Sequence, residues 1–378
     1  MAKYYIKEGL DMKQLIINPG STSTKISLYE GERELFTRSI FHDAPLLLSF
    51  KSTNDQLPMR RGVIEELLKE YGYKLSDIDV FIGRGGCAYS QPSGVMVVDE
   101  KLYNDTRDDR GGSDHSAKLG VMLAYIFAKE TGKIAYTVDP TNVDELIDEA
   151  RLTGIKGVYR RAQSHVLNQK GVARLWCKEH EKEYEKSNII VAHIDGGITI
   201  AAHENGRMID GTEGAGGDGP FTPTRLGSIP VLEAVRYAKT HSVEEVEAMC
   251  SRSGGFVNHF GTSNSDTIHK LVEENDEHAC LVWKTMIYQI AKEIGAMSTV
   301  LKGRVDAIIL TGGLVRFNDI VDGIKERCAF IAPIYVYPGE VEQEVLNSEV
   351  LKVLNGEKKA NTYSGKSVFT PYFWDKTL

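Results

Sequence analysis

A chain of 378 residues, with 42% hydrophobic and 26% charged side chains, has the composition of a folded protein and is long enough for two domains. Its formal net charge of −8 and the lack of a basic stripe argue against a nucleic-acid partner. No apolar run is long enough to cross a bilayer, so we expect no membrane partner. The five cysteines are widely spaced and form no CxxC pair, which predicts reduced thiols and a cytoplasmic location.

The first predicted element is a hairpin with an enlarged glycine loop. Residues 1–11 precede it, and we expect a frayed extension or the product of an upstream start codon there. Residues 15–18 form an apolar strand that ends in Asn-Pro-Gly, and the alternating strand 24–29 follows. Apolar periodicity then predicts helices at residues 61–70 and 119–129 and strands at residues 80–82 and 134–138. Strands that alternate with helices indicate an α/β fold.

A second hairpin of the same design begins near residue 188. The apolar strand 189–194 ends in Asp-Gly-Gly, and the strand 198–202 returns. The other predicted elements are helices at about residues 163–183 and at 279–302, and strands at residues 307–310 and 334–336. Two matched hairpins predict an internal duplication, with halves that start near residues 14 and 188.

Four strand ends carry glycines, at residues 18–25, 83–86, 195–197 and 311–313. A single Gly-Gly pair after a strand is more often an ordinary tight turn, so none of the four is specific alone. Two matched hairpins and a Gly-Gly loop before a helix suit a nucleotide in a cleft between domains. Backbone N–H groups would then hold its phosphates.

Several charged or polar residues accompany these turns. Ser21, Ser23 and Lys25 suit phosphate oxygens; a polar surface turn with an alternating strand is the alternative, and it explains Lys25 equally well. Arg84 in G-R-G-G and Arg225 after a proline-rich loop can bind carboxylate or phosphate through two hydrogen bonds each. For each arginine, a solvated surface position is the alternative.

Two acidic residues and three histidines complete the candidates. Asp139 and Glu340 follow strands and can hold Mg²⁺, whereas a turn or helix-cap role is the alternative for each. The histidines lack the spacing of a zinc site. His115 and His165 lie just before or at helix starts, where a cap or core position is the alternative, and His193 lies on the second hairpin.

Taken together, the motifs resemble the acetate and butyrate kinase family, in the family's order and at comparable spacing from residue 12 to about residue 354. The motifs are I-I-N-P-G-S-T-S-T-K, G-R-G-G, H-V-L-N-Q-K-G-V-A-R, G-P-F-T-P-T-R, K-E-I-G-A-M, V-D-A-I-I-L-T-G-G and V-Y-P-G-E. The resemblance implies an α/β fold of two duplicated actin-like ATPase (ribonuclease H-like) domains with a nucleotide cleft between them. The expected domains are residues 12–138 with about 341–378, and residues 139–340.

The resemblance also implies roles for individual residues. The nucleotide-binding positions it matches are Asn18, Ser21, Ser23 and Lys25 in the first phosphate loop, His193, Gly196 and Gly197 in the second, and Gly312 and Gly313 near the adenosine. The reactive positions it matches are the arginines Arg84 and Arg225, the carboxylate Asp139, the transition-state histidine His165, the active-site histidine His115 and the magnesium-associated Glu340.

The implied reaction is the reversible transfer of a phosphoryl group from ATP to a short-chain carboxylate, with butyrate giving butyryl phosphate and ADP. Because a carboxylate is already ionised at neutral pH, it needs no general base, and Asp139 is expected to organise the site. Arg84, Arg225, His165 and Mg²⁺ would offset the repulsion between the carboxylate and the γ-phosphate. The family also implies a homodimer or a larger homo-oligomer.

Two positions depart from the family pattern, because Asp195 replaces a glycine and Gly216 replaces an aspartate. A unit charge about 4 Å from a phosphate costs on the order of 4 kcal/mol at a dielectric near 20, unless Mg²⁺ reverses the sign. We therefore hypothesise that a carboxylate moved from position 216 to position 195, where it serves Mg²⁺. The alternatives are a nucleotide-binding paralogue with weak or altered activity, a kinase for another short or branched acid, and an alcohol kinase with Asp139 as base.

Overall fold

The computed structural model describes residues 11–86, 88–112 and 115–375. These residues form two compact units, the described parts of Met1–Asp144 with Glu342–Tyr372 and of Glu145–Val341 with Phe373–Leu378. The domain boundaries expected from the sequence stay predictions. The extension expected at residues 1–11 lies outside the described residues except for Asp11, as does Cys87 among the cysteines. The other four cysteines are free thiols.

Strands and helices alternate along most of the chain. The strands are β1 (Lys13–Pro19), β2 (Ser23–Glu30), β3 (Arg33–Phe41), β4 (Val80–Gly83), β5 (Val95–Val97), β6 (Ile134–Val138), β7 (Asn188–Ile194), β8 (Ile198–Glu204), β9 (Arg207–Gly211), β10 (Ala307–Gly312) and β11 (Ile334–Pro338). The α-helices are α1 (Ala44–Ser49), α2 (Leu57–Glu70), α3 (Glu100–Arg107), α4 (Lys118–Thr131), α5 (Asp148–Arg151), α6 (Val166–Glu179), α7 (Val231–Tyr237), α8 (Val243–Ala248), α9 (Gly255–Phe260), α10 (Ser265–Glu273), α11 (Glu277–Val300), α12 (Asn318–Cys328) and α13 (Glu342–Leu354).

Each unit contains one mixed sheet, and the two sheets follow the same plan. The strand order is β3-β2-β1-β4-β6-β5 in the first and β9-β8-β7-β10-β11 in the second. In both, three antiparallel strands are followed by parallel neighbours, β4 and β6 in one sheet and β10 and β11 in the other. The duplication predicted from the two hairpins is therefore confirmed.

Close helix packing positions the end of β4. A Cβ atom on Gly83 would lie 2.2 Å from the carbonyl oxygen of Gly120 on α4, so neither strand nor helix has room for a side chain there. In the second unit, α11 packs against its sheet with Met286, Ile290, Ile294 and Met297 all buried, as predicted from their helical spacing. Within the described part of the chain, no helix combines the length and the apolarity that a membrane span requires.

The helix predicted at about residues 163–183 is α6, so that prediction was too long at both ends. His165 is the N-cap residue. At the other end, Glu181 has a left-handed φ of +53°, and the Lys182 N–H donates to the Cys177 carbonyl at 2.8 Å. This is the closure that usually carries a glycine, and its absence from the sequence hid the helix end.

Candidate active site

The first predicted phosphate loop joins β1 to β2 and is held by a buried arginine of α2. The Gly20 N–H donates to the Ser23 carbonyl at 2.8 Å. Arg60 is fully buried and donates to the carbonyl oxygens of Ser23 and Gly20, both at 2.9 Å. Burial lowers the pKa of Arg60 to about 10. Arg60 lies one residue before the helix predicted at 61–70, and a single charged residue beside a helix carries no signal that separates it from surface charges.

Glu342, at the start of α13, connects two of the predicted residues of the first unit. Its Oε2 accepts a hydrogen bond from Asn18 Nδ2 at 2.8 Å, and its Oε1 pairs with Arg84 Nη2 at 2.9 Å. Glu342 is itself buried. The Nε of Arg84 is buried and has no hydrogen-bond partner among the described residues. Sequence reasoning chose Glu340 in the same segment and missed Glu342.

Asp139 follows β6 in a strained backbone conformation. Its φ is +39°, although the next residue is Pro140, which disfavours helical conformations of the residue before it. Its Oδ1 accepts hydrogen bonds from Ser93 Oγ at 2.6 Å and from the Gly94 N–H at 2.7 Å, and the residue is buried. Strain of this kind costs on the order of 1–3 kcal/mol and is enriched at functional sites.

The remaining candidates of the first unit lie in more exposed places. Ser21 is exposed on the loop, and Ser23 and Lys25 are half-buried on β2. His115 is exposed, and its Nδ1 accepts the Ala117 N–H at 3.1 Å just before α4. Ala117 is the N-cap residue of α4 and has no side-chain cap hydrogen bond. Both the cap role and the reactive role of His115 therefore stay predictions.

In the second unit, the turn from β7 to β8 is held by the carboxylate at its tip. Oδ1 of Asp195 accepts the Gly196 N–H at 2.7 Å, and Oδ2 accepts the Gly313 N–H at 2.6 Å. Gly312 has a φ of +98°, and a Cβ atom there would lie 2.4 Å from the Ile194 carbonyl oxygen, so only glycine fits. Asp195 therefore ties the second predicted phosphate loop to the glycine pair that ends β10.

Arg225 lies against the same turn. Thr222 and Thr224 anchor its loop by donating from Oγ1 to the Gly196 carbonyl at 2.7 and 3.0 Å. A Cβ atom on Gly197 would lie 2.5 Å from Arg225 Nη1, so glycine permits this approach.

The guanidinium of Arg225 is only partly hydrogen-bonded within the described part of the chain. Its Nε and Nη1 are buried and have no hydrogen-bond partner among the described residues. Burial lowers the pKa of Arg225 to about 10. Buried cationic nitrogens without partners are costly unless an anion binds them, so the position of Arg225 beside the glycine turn fits an anion site.

Two predicted histidines are stacked beside this turn. The ring centroids of His165 and His193 are 4.0 Å apart, with an interplanar angle of 15°. His165 Nδ1 lies 2.8 Å from Thr199 Oγ1, and His193 Nε2 lies 3.8 Å from Glu340 Oε1. His193 is buried, whereas Glu340 is exposed. The structure thus brings the transition-state histidine of the resemblance into contact with the second phosphate loop.

The two predicted metal ligands lie close together. Among the described residues, one group of three could hold a metal ion, namely His193, Asp195 and Glu340, whose ligand atoms all lie within 4.8 Å of one another. Carboxylate oxygens are the ligands that Mg²⁺ prefers. Asp195 and Glu340 therefore fit a magnesium ion.

Position 216, the other departure from the family pattern, is already occupied by a carboxylate. A Cβ atom on Gly216 would lie 2.4 Å from Oε2 of Glu213. Burial, with Asp218 nearby, raises the pKa of Glu213. An aspartate at position 216 would require the flexible Glu213 side chain to move, and a carboxylate from three residues earlier in the chain lies at this place.

Known proteins are similar in sequence to this chain over nearly its whole length. Residues 152–324 match the model of the acetokinase family. Butyrate kinase 2 of Clostridium acetobutylicum is 39% identical over 356 residues, which cover 94% of this chain and 100% of that protein. A protein named probable butyrate kinase 2, of Caldanaerobacter subterraneus, is 40% identical over 353 residues, which cover 93% of this chain and 99% of that protein.

Solved structures share the fold. The acetate kinase of Porphyromonas gingivalis matches with a TM-score of 0.74 at 19% identity, covering 91% of this chain and 100% of that one. The acetate kinase of Entamoeba histolytica matches with a TM-score of 0.72 at 17% identity, covering 90% and 99%. These likenesses, with the two matched sheets, confirm the duplicated actin-like ATPase fold expected from the sequence.

Proposed function

Since this chain belongs to the acetokinase family, we propose that it phosphorylates butyrate with ATP, forming butyryl phosphate and ADP in a reversible reaction. The class of enzyme is a kinase whose acceptor is a carboxyl group. The identity of about 40% to butyrate kinases over nearly the whole chain supports butyrate as the acceptor. Other short or branched acids are the alternative substrates.

Arg225 is the structural observation that carries the proposal. Both reactants are anions, so their repulsion is the main obstacle to reaction. A carboxylate oxygen attacks the γ-phosphorus, the bond to the β,γ-bridging oxygen breaks, and ADP leaves with that electron pair. The guanidinium of Arg225, with its two open donors beside the glycine turn, offsets the charge that spreads over the transferring phosphoryl group.

The nucleotide of the family is ATP or ADP, and we assign its contacts from the resemblance. In the second unit they are His193, Gly196, Gly197, Gly312 and Gly313; in the first they are Asn18, Ser21, Ser23 and Lys25. The other reactive groups assigned in this way are Arg84, Asp139 and His165. The contact of Glu342 with Asn18 and Arg84 adds Glu342 to the first unit's groups.

We further propose that Asp195 and Glu340 hold Mg²⁺. The Asp195 carboxylate takes up the N–H groups of Gly196 and Gly313, so the turn offers a phosphate fewer donors and one negative charge. When bound, Mg²⁺ would neutralise phosphate charge. Asp195 then assists nucleotide binding in the presence of the ion and opposes it in its absence. The cytoplasmic location and the homo-oligomer stay predictions of the sequence.

The proposal is tested by trapping the acyl phosphate. With butyrate, ATP, Mg²⁺ and hydroxylamine, we expect butyryl hydroxamate and an equal amount of ADP. Acetate, isobutyrate and valerate in parallel would set the preferred chain length. If no acid gives a hydroxamate at high enzyme concentration while ATP still binds, the proposal is wrong and a paralogue with altered activity is favoured. Formation of ADP from ATP when an alcohol replaces the acid as acceptor would indicate an alcohol kinase.

A further inference from the structure

Asn168 lies on α6 and forms hydrogen bonds with His193, with Thr311 and with the backbone of Val341. The residue is fully buried. Its Oδ1 accepts the Val341 N–H at 3.0 Å. Its Nδ2 lies 3.2 Å from Thr311 Oγ1 and 2.9 Å from Nδ1 of His193. All four residues belong to the second unit.

The backbone determines which way the Asn168 amide points. A backbone N–H can only donate and a carbonyl can only accept, so the atom facing Val341 must be the oxygen. Thr311 donates its single hydroxyl proton to the Gly339 carbonyl at 3.0 Å, so it accepts from Asn168. Both protons of the amide nitrogen are then donated, one to Thr311 and the other to His193.

We infer that Asn168 is a positioning residue that holds His193 in its Nε2–H tautomer. A neutral imidazole has one proton, and a ring that accepts at Nδ1 carries that proton on Nε2. His165, stacked on the same ring at 4.0 Å, covers one of its faces. His193 therefore presents an N–H donor at Nε2, the atom 3.8 Å from Glu340.

This tautomer gives His193 a different role from Asp195 and Glu340. A protonated Nε2 cannot bind a metal ion, so the two carboxylates remain as ligands, and Mg²⁺ prefers such oxygens. His193 instead donates a hydrogen bond to an anion. The assignment of that anion as a phosphoryl oxygen rests on the proposed function, whereas the tautomer itself does not.

The first test is the tautomer in the wild-type protein without nucleotide. In ¹⁵N-histidine-labelled protein at mildly alkaline pH, side-chain NMR distinguishes protonated from unprotonated ring nitrogens, and a His193→Gln variant assigns the signal. We expect Nε2 of His193 to carry the proton and Nδ1 to carry none. A proton on Nδ1 would overturn the inference, whatever the enzyme phosphorylates.

The second test reverses the hydrogen bond with Asn168→Asp, which has nearly the same shape. A carboxylate still accepts the Val341 N–H but also accepts from Nδ1, so we expect the His193 tautomer to reverse. Loss of one aligned donor should then lower kcat by about a hundredfold. The control is Asn275→Asp, an exposed position in the same unit, which should change neither the tautomer nor kcat.

Two results with Asn168→Asp would contradict the inference. A folded variant that loses activity with an unchanged tautomer would show a merely structural role for Asn168. A reversed tautomer with normal hydroxamate formation would show that the Nε2 proton is not used. If the variant does not fold, the wild-type spectrum alone decides. Failure of the proposed function has a different signature, namely wild-type protein with the expected tautomer but no acyl hydroxamate from any acid.

Discussion

The glycine loops that follow β1 and β7 occupy equivalent places in the two sheets, but opposite charges hold them. In the first loop, the guanidinium of Arg60 binds the carbonyl oxygens of Gly20 and Ser23. In the second, the carboxylate of Asp195 accepts hydrogen bonds from the N–H groups of Gly196 and Gly313. One hairpin design is thus stabilised through its acceptors in one unit and through its donors in the other.

The difference has a chemical consequence for phosphate binding. The first loop uses one N–H group within itself, that of Gly20, and the side chain that holds it binds carbonyl oxygens and adds a positive charge. A loop held through its N–H groups loses donors and gains a negative charge, so a phosphate can approach it favourably only with a cation. Duplication of a fold therefore does not imply duplication of the binding chemistry.

Two arginines, the fully buried Arg60 and the half-buried Arg225, show the same contrast. Burial lowers the pKa of Arg60 and of Arg225 to about 10 in each case. The donors of Arg60 reach carbonyl and side-chain oxygens, whereas Nε and Nη1 of Arg225 have no partner among the described residues. Arg60 is therefore expected to support the fold, and Arg225 to bind an anion.

The largest expected effect is that of Arg225→Ala on turnover. Loss of this cation should lower kcat by about a thousandfold, because charge on the transferring phosphoryl group is no longer offset. The melting temperature should not fall, since a buried charge with open donors is removed. Arg225→Lys should recover only part of the rate. A normal kcat for Arg225→Ala in the hydroxamate assay would contradict the contrast between the two arginines.

The second effect is that of Arg60→Ala on stability. Several oxygens of the first loop lose their donor, so the free energy of unfolding should fall by about 3 kcal/mol in urea titration. The neighbouring Arg61→Ala is a matched control, because Arg61 forms partly exposed ion pairs with Glu65 and Glu130. That control should cost no more than about 1 kcal/mol. Equal losses in the two variants would show that Arg60 does not hold the loop.

A smaller effect is expected for Asp195→Gly on ATP binding. Removal of the charge should strengthen binding of metal-free ATP and reduce the gain produced by Mg²⁺, by about tenfold in the ratio of the two Kd values. Calorimetric titrations with Mg²⁺ and with a chelator measure this ratio. Glu213→Gln, which removes a carboxylate near position 216, is the control and should leave the ratio unchanged. An unchanged ratio for Asp195→Gly would exclude its role with the ion.

The smallest effects concern pH, at the next-to-last residues of β2 and β8. Burial, with a hydrogen bond to Glu34, raises the pKa of Tyr29, and burial lowers that of His203 well below its usual range. The unfolded chain gains a proton on His203 as the pH falls below about 6.5, and loses one from Tyr29 above about 10. The folded protein does neither, so stability should fall on both sides.

A substitution at either position should reduce the pH dependence of stability on one side only, acidic or alkaline. In urea titrations across pH, His203→Gln should reduce the loss of stability on acidification and leave the alkaline side unchanged. Tyr29→Phe should do the reverse. If either variant changes both sides equally, the two positions do not act through their own titration.

Sequence patterns predicted the elements that local chemistry specifies. The strands at β1 and β7 follow from apolar runs that end in glycine turns, and α11 follows from Met286 and Ile290 at helical spacing. The end of α6 was missed because Glu181 takes the left-handed conformation without a glycine to signal it. Arg60, Asn168 and Glu342 were missed because each is a single polar residue beside or within a helical pattern.

The sequence patterns by themselves indicated the α/β class, the two matched hairpins and the glycine turns, since these depend on residues close together in the chain, and the family resemblance supplied the actin-like fold. Only the tertiary structure decided what holds each turn. Asn18 meets Glu342 across 324 positions, and Asn168 meets Val341 across 173. At such separations the partner depends on how strands and helices pack. Asp195 illustrates both contributions. Its place at the turn can be read from the sequence, whereas its hydrogen bond from the Gly313 N–H exists only in the folded chain.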